Sequence, residues 1–430
     1  MSTTPHEAPP VRHREIFGWA MFDFANSSYT TVILTVAFGV FFSKLVAPPG
    51  QGDALWGTAI AISNLVVMIA SVVVGAVADG AAKKKLFLFL SYLACVLGTA
   101  SLGFIGPGQV TLALLLVIVS NIAFSLGENL TASFLPELST PANIGKISGL
   151  GWGLGYVGGI LSVIAIQPLL APGYTVENLA NLQKAWLVTA GFFLVAGAVT
   201  FLLVRERAVA EPGVSWSHHA GEGLRRIRET MAEIGHFREL GRFLLAFSCY
   251  QAGLASVFLF SGIYVTQTLH FEPAEQALLF IVMNLSGAIG AIGFGFIQDR
   301  LGALRTVRWT LLFWVLVTIG AFLCQTKGQF WVVGTCAGLG MGSLQSASRA
   351  LVGLFSPVAK TGEFFGFWGL AGKGAYVVGP LVFGWLSSLT GNQRIGIAST
   401  AGFFLLGFLL IGRVNEAAGR QAAAEWDARS

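Results

Sequence analysis

The sequence predicts an all-α membrane protein with twelve transmembrane helices in two pseudo-symmetric six-helix bundles. Composition, the number of apolar runs and an internal repeat support this fold class. Of the 430 residues, 54% are hydrophobic and 11% are charged, against roughly 25% charged residues in average soluble proteins. A soluble chain of this length cannot bury so much apolar surface, because cores stop growing and chains divide into domains. A lipid bilayer can accommodate that surface.

The apolar runs are long enough to cross a bilayer, since a spanning helix needs about 20 predominantly apolar residues. Short polar breaks separate them. The first run is long enough to be tilted or broken near its ends. The predicted spans are 16–46, 56–78, 86–105, 111–134, 147–168, 184–204, 242–268, 275–297, 307–325, 329–355, 363–388 and 394–412.

The basic residues predict the orientation of the chain. Most of the 26 lysines and arginines lie in breaks on the side shared by both termini. The opposite side has only Lys44, Lys184, Lys327 and Arg394. By the positive-inside rule, both termini are expected to be cytoplasmic. Because the basic residues are spread over loops instead of one soluble face, we expect no nucleic-acid partner.

Five segments follow from these spans. We predict a cytoplasmic tail at 1–15, a bundle at 16–204, a linker at 205–241, a second bundle at 242–412 and a cytoplasmic tail at 413–430. Apolar residues recur in the linker at roughly helical spacing, which favours an amphipathic helix at the membrane surface. It would tether the halves, with a partner-binding role as the alternative. These residues are Leu224, Ile227, Met231, Ile234 and Leu240.

An internal repeat relates the two bundles. Asparagine, aspartate and tyrosine are rare in apolar spans, so their recurrence at one offset is informative. Three pairs are each separated by 220 positions: Asn64 and Asn284, Asp79 and Asp299, and Tyr156 and Tyr376. A shared offset predicts a duplicated six-helix unit in parallel orientation, an arrangement found among secondary transporters.

A glycine, an aspartate four residues later and then basic residues follow the second and eighth spans. The set is Gly75, Asp79 and Lys83 in one copy, and Gly295, Asp299, Arg300 and Arg305 in the other. This pattern resembles the loop signature of the major facilitator superfamily. The superfamily geometry implies that Asp79 contacts the start of the eleventh span near Glu363, and Asp299 the fifth near Lys146. Helix N-termini offer free N–H groups and a favourable dipole to such carboxylates. The alternative is a surface charge that ends a helix.

Longer runs are similar to one branch of that superfamily, the vacuole-effluxer-like or unknown major facilitator family. The resemblance implies the major facilitator fold, and the short, poorly charged loops are typical of bacterial members, so the bacterial inner membrane is expected. Fungal members are associated with amino-acid efflux from the vacuole. The runs are Trp19-Ala-Met-Phe-Asp23-Phe-Ala-Asn26-Ser-Ser, Phe134-Leu-Pro136-Glu, Ser148-Gly-Leu-Gly-Trp152-Gly-Leu-Gly-Tyr156, Gln345-Ser-Ala-Ser-Arg349 and Glu363-Phe-Phe-Gly-Phe.

Four charged residues lie well inside the predicted spans, at least six residues from either end: Asp23, Glu128, Arg349 and Lys373. A charge at mid-membrane costs at least about 2.5 kcal/mol, so each needs a reason. In the superfamily's fold, the first, fourth, seventh and tenth spans line a central cavity. The hypothesis is that Glu128 or Asp23 exchanges Arg349 or Lys373 as its partner during alternating access, and that either acid carries a coupling proton. The alternative is a static buried pair that fixes helix packing.

Other polar and aromatic residues are candidates for substrate contact. Asn26 extends the polar stripe of Asp23 by one helical turn. The remaining candidates are Trp152, Tyr156, Gln251 and Tyr376, with packing as the alternative role.

The predicted function is secondary active transport of a small solute, an amino acid or another small organic molecule, in the direction of efflux. No Walker-type phosphate loop, histidine metal cluster or nucleophile–base pair stands out, so an ATP-driven pump or a membrane enzyme is disfavoured. No cofactor, metal or disulfide framework is expected. We expect a monomer in a lipid bilayer. The remaining alternative is a non-transporting scaffold or receptor on the same fold.

Overall fold

The computed structural model describes residues 11–207, 225 and 235–428. These residues form helices and no strand, so the all-α fold class is confirmed. Six long segments build the first half: α1 (His13–Val46), α2 (Gly52–Gly80), α3 (Lys84–Leu102), α4 (Val110–Ser133), α5 (Ile144–Leu170) and α6 (Leu179–Leu203). Six build the second: α7 (Arg238–Gln267), α8 (Pro273–Leu301), α9 (Ala303–Leu323), α10 (Lys327–Phe355), α11 (Thr361–Thr390) and α12 (Gln393–Ile411). A shorter helix, α13 (Glu416–Asp427), follows.

Within the described residues, ten helical segments are long and apolar enough to cross a membrane, against twelve predicted. The two outside this set are α10 and α11. They are as long as the others, with 29 and 30 residues. They are less apolar because they carry Gln345, Arg349 and Lys373 among many glycines. These two helices hold the basic candidates Arg349 and Lys373.

Helix α1 is irregular in its interior. It is α-helical over His13–Ser28 and π-helical over Tyr29–Val36, and then breaks at Ala37, where φ is −125°. A second π-helical stretch covers Phe42–Val46. The first wide stretch is rich in threonine, valine and isoleucine, whose branched side chains are restricted in an α-helix. The break predicted near the ends of this segment therefore lies within it.

The two halves differ in how their cores are filled. In the first half, Phe38 lies 5.1 Å and Phe41 5.5 Å from the Trp186 ring, measured between centroids, so aromatic rings occupy the interior. In the second half, residues of all six helices from α7 to α12 line an apolar cavity of about 60 Å³. Tyr264 and Trp314 form part of its wall. The duplicated units therefore share a topology but not a core.

The halves meet where α2 crosses α11 and where α5 crosses α8. Backbones approach closely at both crossings because glycines face each other, as is common between membrane helices. A Cβ atom built at Gly295 would lie only 2.7 Å from the carbonyl oxygen of Gly145. We call the end of the bundle where α1 begins and α12 ends the terminal face, and the other end the opposite face.

Both predicted tails contain helical residues. Helix α1 begins at His13, inside the predicted tail at 1–15, and Glu15 is buried. The second tail, predicted at 413–430, contains α13. Most of the predicted linker helix lies outside the described residues, and Leu240 belongs to α7.

Candidate functional site

Asp79 forms the centre of a buried charge cluster at the terminal face. One carboxylate oxygen accepts from the backbone N–H of Glu363 at 2.9 Å, and the other lies 3.3 Å from Lys84 Nζ. The same ammonium donates to Glu137 at 2.7 Å and to the Thr361 hydroxyl. The side chains of Asp79 and Lys84 are 2% and 3% exposed. The cluster therefore joins α2, α3 and the turn after α4 to the start of α11.

The position of Asp79 explains why this contact forms. It stands at the C-terminal end of α2, where the helix dipole disfavours a carboxylate, and it faces the N-terminus of α11, where the dipole favours one. Gly75 lies one turn earlier and packs against the backbone of Gly362, which brings the two helices close enough for the hydrogen bond. The contact depends on the close approach of the two halves at this crossing.

Asp299 makes the corresponding contact between α8 and α5. It accepts from the backbone N–H groups of Gly145 at 2.8 Å and Lys146 at 3.0 Å. These are first-turn N–H groups, which have no acceptor within their own helix. Arg300 and Arg305 are exposed. Among described residues, no cation lies within 4.0 Å of this carboxylate, so the second contact is a pair of helix-capping bonds.

The cation that contacts Asp79 is Lys84, whereas the sequence-based set contains its neighbour Lys83. Three lysines stand in a row at 83–85, and spacing alone does not distinguish them. Lys84 is the first residue of α3, and its direction there points it into the cluster. Lys84 differs from its neighbours in being buried, and the sequence does not predict which of the three lysines is buried.

Arg349 joins the two halves deeper in the bundle. Its Nη1 lies 2.6 Å from a carboxylate oxygen of Asp23, and its Nη2 donates to the carbonyl of Ser148 at 2.8 Å. The guanidinium carbon lies 4.7 Å from the Trp19 ring centroid and 5.4 Å from that of Trp152. Arginine is suited to this combination because its planar group can pair with a carboxylate and stack on aromatic rings. Arg349 thus links α10 to α1 and α5.

Glu128 and Lys373 form a second acid–base set nearby. Glu128 interacts electrostatically with Lys373, Asp23 and Arg349. The described residues contain no ion pair within 4.0 Å for Glu128 or Lys373. The ammonium of Lys373 lies 5.9 Å from the ring centroid of Tyr376. The structure thus gathers the four intramembrane charges but pairs only one acid with one base directly.

Three of the remaining candidates have buried polar atoms without a partner among the described residues. They are the Trp152 Nε1, the Tyr156 hydroxyl and the Gln251 Oε1. Buried polar atoms are normally hydrogen-bonded, so each of these needs an explanation. Asn26 is also buried, whereas Tyr376 is exposed. An aqueous or solute-filled cavity would supply the missing partners.

Sequence reasoning did not select Trp19, Ser148, Lys84, Glu137 or Thr361. Trp19 lies one helical turn before Asp23, so a stacking role for it could have been inferred from spacing. Ser148 and Glu137 stood within the runs that carry the family resemblance. Thr361 had no signal, because its contact with Lys84 joins residues far apart in the chain.

Comparison with known proteins agrees with this geometry. The family model described as vacuole effluxer Atg22 like matches residues 54–424. The chain belongs to this family. The match covers most of both halves, including the crossings of α2 with α11 and of α5 with α8.

Two relatives illustrate the range of the family. The chain is 27% identical over 406 residues to the MFS-type transporter YxiO of Bacillus subtilis (strain 168), covering 93% of this chain and 94% of that protein. It is 25% identical over 342 residues to autophagy-related protein 22-1 of Aspergillus niger, covering 74% of this chain and 55% of that protein. The chain therefore spans about half the length of this fungal relative.

Solved structures identify the fold. The human organic anion transporter MFSD10 (TETRAN) superposes with a TM-score of 0.72 at 14% identity, covering 94% of this chain and all of that one. FucP in its outward conformation superposes with a TM-score of 0.71 at 14% identity, covering 94% and 98%. The major facilitator fold is therefore confirmed. The Bacillus subtilis relative and both structural neighbours are described as transporters.

Proposed function

We propose that this protein is a secondary active transporter that moves a small organic solute across the bilayer by alternating access. One observation carries the proposal: Arg349 and Asp23 form an ion pair between the halves, 2.6 Å apart. Two breakable contacts, at Asp79 and Asp299, close the terminal face below it. A charged pair that joins the halves above a closed contact can exchange its partner for a solute, as binding and release on alternate sides require.

The hydrogen bonds between described residues of the two halves support an assignment of state. Beyond the two aspartate contacts, Ser71 donates to the carbonyl of Gly366 at 3.1 Å and Ser148 to that of Ser346 at 2.8 Å. These bonds lie toward the terminal face, so we infer that the halves are closed there and that access to Arg349 and Asp23 is from the opposite face. The basic residues favour a cytoplasmic terminal face. The state described here is then outward-facing, in a cytoplasmic membrane.

The opposed charges favour a zwitterionic solute such as an amino acid. Its carboxylate would replace Asp23 as a partner of Arg349, and its ammonium would pair with Glu128. Protonation of Glu128 would remove the partner of the solute ammonium, so proton and solute would compete for this carboxylate. Exchange of proton for solute in this way would drive efflux against a concentration gradient. The family description as an effluxer supports that direction.

Flux measurements with purified protein in proteoliposomes test the proposal. Radiolabelled amino acids should accumulate only when a pH gradient is imposed, and ionophores that dissipate the gradient should abolish accumulation. The Asp23→Asn and Glu128→Gln variants should be measured at clamped pH gradients, with Glu177→Gln as a control at an exposed acid. We expect at least one intramembrane variant to retain counterflow exchange but to lose accumulation driven by the gradient.

Two outcomes would contradict this. Unchanged dependence on the pH gradient in both variants would remove the coupling role of the acids. Absence of flux for amino acids, peptides and organic ions, together with binding of a protein partner, would favour the scaffold alternative.

A further inference from the structure

The helix α13, which follows the last long helix, is fixed at the terminal face by specific contacts. The side chain of Asn415 accepts from the backbone N–H of Ala418 at 3.1 Å and caps the helix. Glu416 accepts from the backbone N–H of Leu304, at the start of α9, at 2.9 Å. The backbone N–H of Asn415 donates to Glu239, at the start of α7, at 2.7 Å. These bonds fix the first turn of α13 on the second half.

The far end of α13 contacts the turn that leads into α11. The carboxylate of Asp427 accepts from the backbone N–H of Val358 at 3.0 Å. The ammonium of Lys360 lies 4.1 Å from the ring centroid of Trp426, and Lys360 is 4% exposed. The Trp426 ring also packs on Phe237, 5.4 Å away between centroids. The C-terminal end of α13 thus packs against the turn formed by Val358–Lys360.

This turn continues directly into the gate. Thr361 follows Lys360 and receives the hydrogen bond from Lys84, and Glu363 presents its N–H to Asp79. Both residues are buried. Between the side chain of Asp427 and the gate there are only a few residues of continuous, packed backbone. A shift of the turn would move the N–H group on which Asp79 depends.

The principal partners of α13 are all on the second half: α7, α10 and the turn at Val358–Lys360. Helix α13 is therefore expected to move with the second half when the contacts at the terminal face open, and not to hold the two halves together. Its effect on the gate is to hold the first turn of α11 in the orientation that Asp79 requires.

We propose that Asp427 and Trp426 are positioning residues of the gate, which act through the α10–α11 turn to favour the state closed at the terminal face. This rests on the proposed alternating-access function. Loss of either contact should raise the population that is open at the terminal face.

Hydrogen exchange of backbone amides, followed by mass spectrometry on the full chain in detergent, tests this without a solute. The amides of Glu363, Gly145 and Lys146 are informative because they donate to Asp79 and Asp299 across the halves. First-turn amides have no intrahelical acceptor. Their exchange therefore reports separation of the halves.

In Asp427→Ala and in Trp426→Ala we expect faster exchange at Glu363 and also at Gly145 and Lys146, by about tenfold, the effect of losing one hydrogen bond to a charged group. The matched control is Glu425→Ala, which removes an adjacent exposed carboxylate whose partner is Gln421, 2.8 Å away on the same helix. It should leave all three amides unchanged.

Faster exchange confined to 356–363, with Gly145 and Lys146 unchanged, would mean local fraying and would overturn the proposal. Unchanged exchange everywhere would overturn it as well. Failure of the transport function would appear separately, as absence of flux in proteoliposomes with unmodified protein.

Discussion

The two gate contacts have the same design but lie in different environments. Asp79 and Asp299 both reach from a helix end to a first-turn N–H group of the other half. Asp79 is buried with the ammonium of Lys84, whereas Asp299 is partly exposed and bonds to two N–H groups. Duplication thus preserved the direction of the hydrogen bond, while burial diverged. The buried contact should be costly to break, and the exposed one should be easy.

Removing the cation should have the largest effect. Lys84→Met leaves the carboxylates of Asp79 and Glu137 buried together without a positive partner. Breaking a buried ion pair from one side typically costs about 3–5 kcal/mol of unfolding free energy. Lys146→Met, at the exposed contact, should cost less than about 1 kcal/mol. Unfolding in mixed detergent micelles measures both, and equal losses would remove the distinction between the contacts.

Neutralising either aspartate should give the next largest loss of free energy. Asp79→Asn should destabilise the closed gate by about 1.5–3 kcal/mol, because a hydrogen bond to a charged group is lost. Asp299→Asn should cost about 1 kcal/mol or less, since solvent reaches the site. Amide exchange at Glu363 reports the Asp79 contact, and exchange at Gly145 reports the Asp299 contact.

The double variant Asp79→Asn/Lys84→Met should lose less unfolding free energy than the sum of its single changes, since contacting residues couple. Additive losses would argue against a shared cluster.

Adding one methyl group at each crossing probes the close approach of the helices. Gly75→Ala would place a Cβ against the backbone of Gly362, and Gly295→Ala would place one 2.7 Å from the Gly145 carbonyl oxygen. Overpacking of this kind costs about 1–3 kcal/mol. Both variants should shift the protein toward the state open at the terminal face, measured by the same exchange method. Gly293→Ala, where a Cβ meets open space, is the control and should behave like the unmodified chain.

Raising the salt concentration should have the smallest effect of these changes, and it should affect the Asp299 contact more than the Asp79 contact. Raising ionic strength from about 0.1 M to about 1 M shortens the Debye length from about 10 Å to about 3 Å, which screens exposed charges and leaves buried pairs less affected. Exchange at Gly145 and Lys146 should therefore accelerate modestly, by less than threefold, before that at Glu363 changes. The opposite order would show that the Asp79 cluster is accessible to ions.

Much of the fold was predictable because a bilayer imposes a strong pattern. Each span must satisfy its own backbone hydrogen bonds, so apolar runs of sufficient length become helices. The recurrence of Asp79 at Asp299 predicted the duplication, and the resemblance to the major facilitator superfamily implied the direction of both aspartate contacts. The charges of Arg349 and Asp23 were also conspicuous, since intramembrane charges are rare.

Other features depended on packing. The sequence left open which acid pairs with which base, and the structure pairs Arg349 with Asp23 at 2.6 Å. It did not distinguish Lys84 from its neighbours. Helix α13 was treated as a tail, although Asn415 followed by Glu416 is a capping signal. Asn284, which repeats Asn64, donates its amide to the backbone carbonyl of Phe280, one turn earlier on its own helix.

The sequence by itself determined the membrane setting, the two related halves, the gate aspartates and the set of intramembrane charges. These follow from composition and from residues repeated at one offset. Only the tertiary structure decided which partners those charges take, that one aspartate contact is buried and the other partly exposed, and that α13 packs against the turn that leads into α11. The physical reason is that such pairings depend on the rotation and depth of helices that are hundreds of residues apart in the chain. Those quantities are set by how glycines and aromatic rings pack, and no local pattern encodes them.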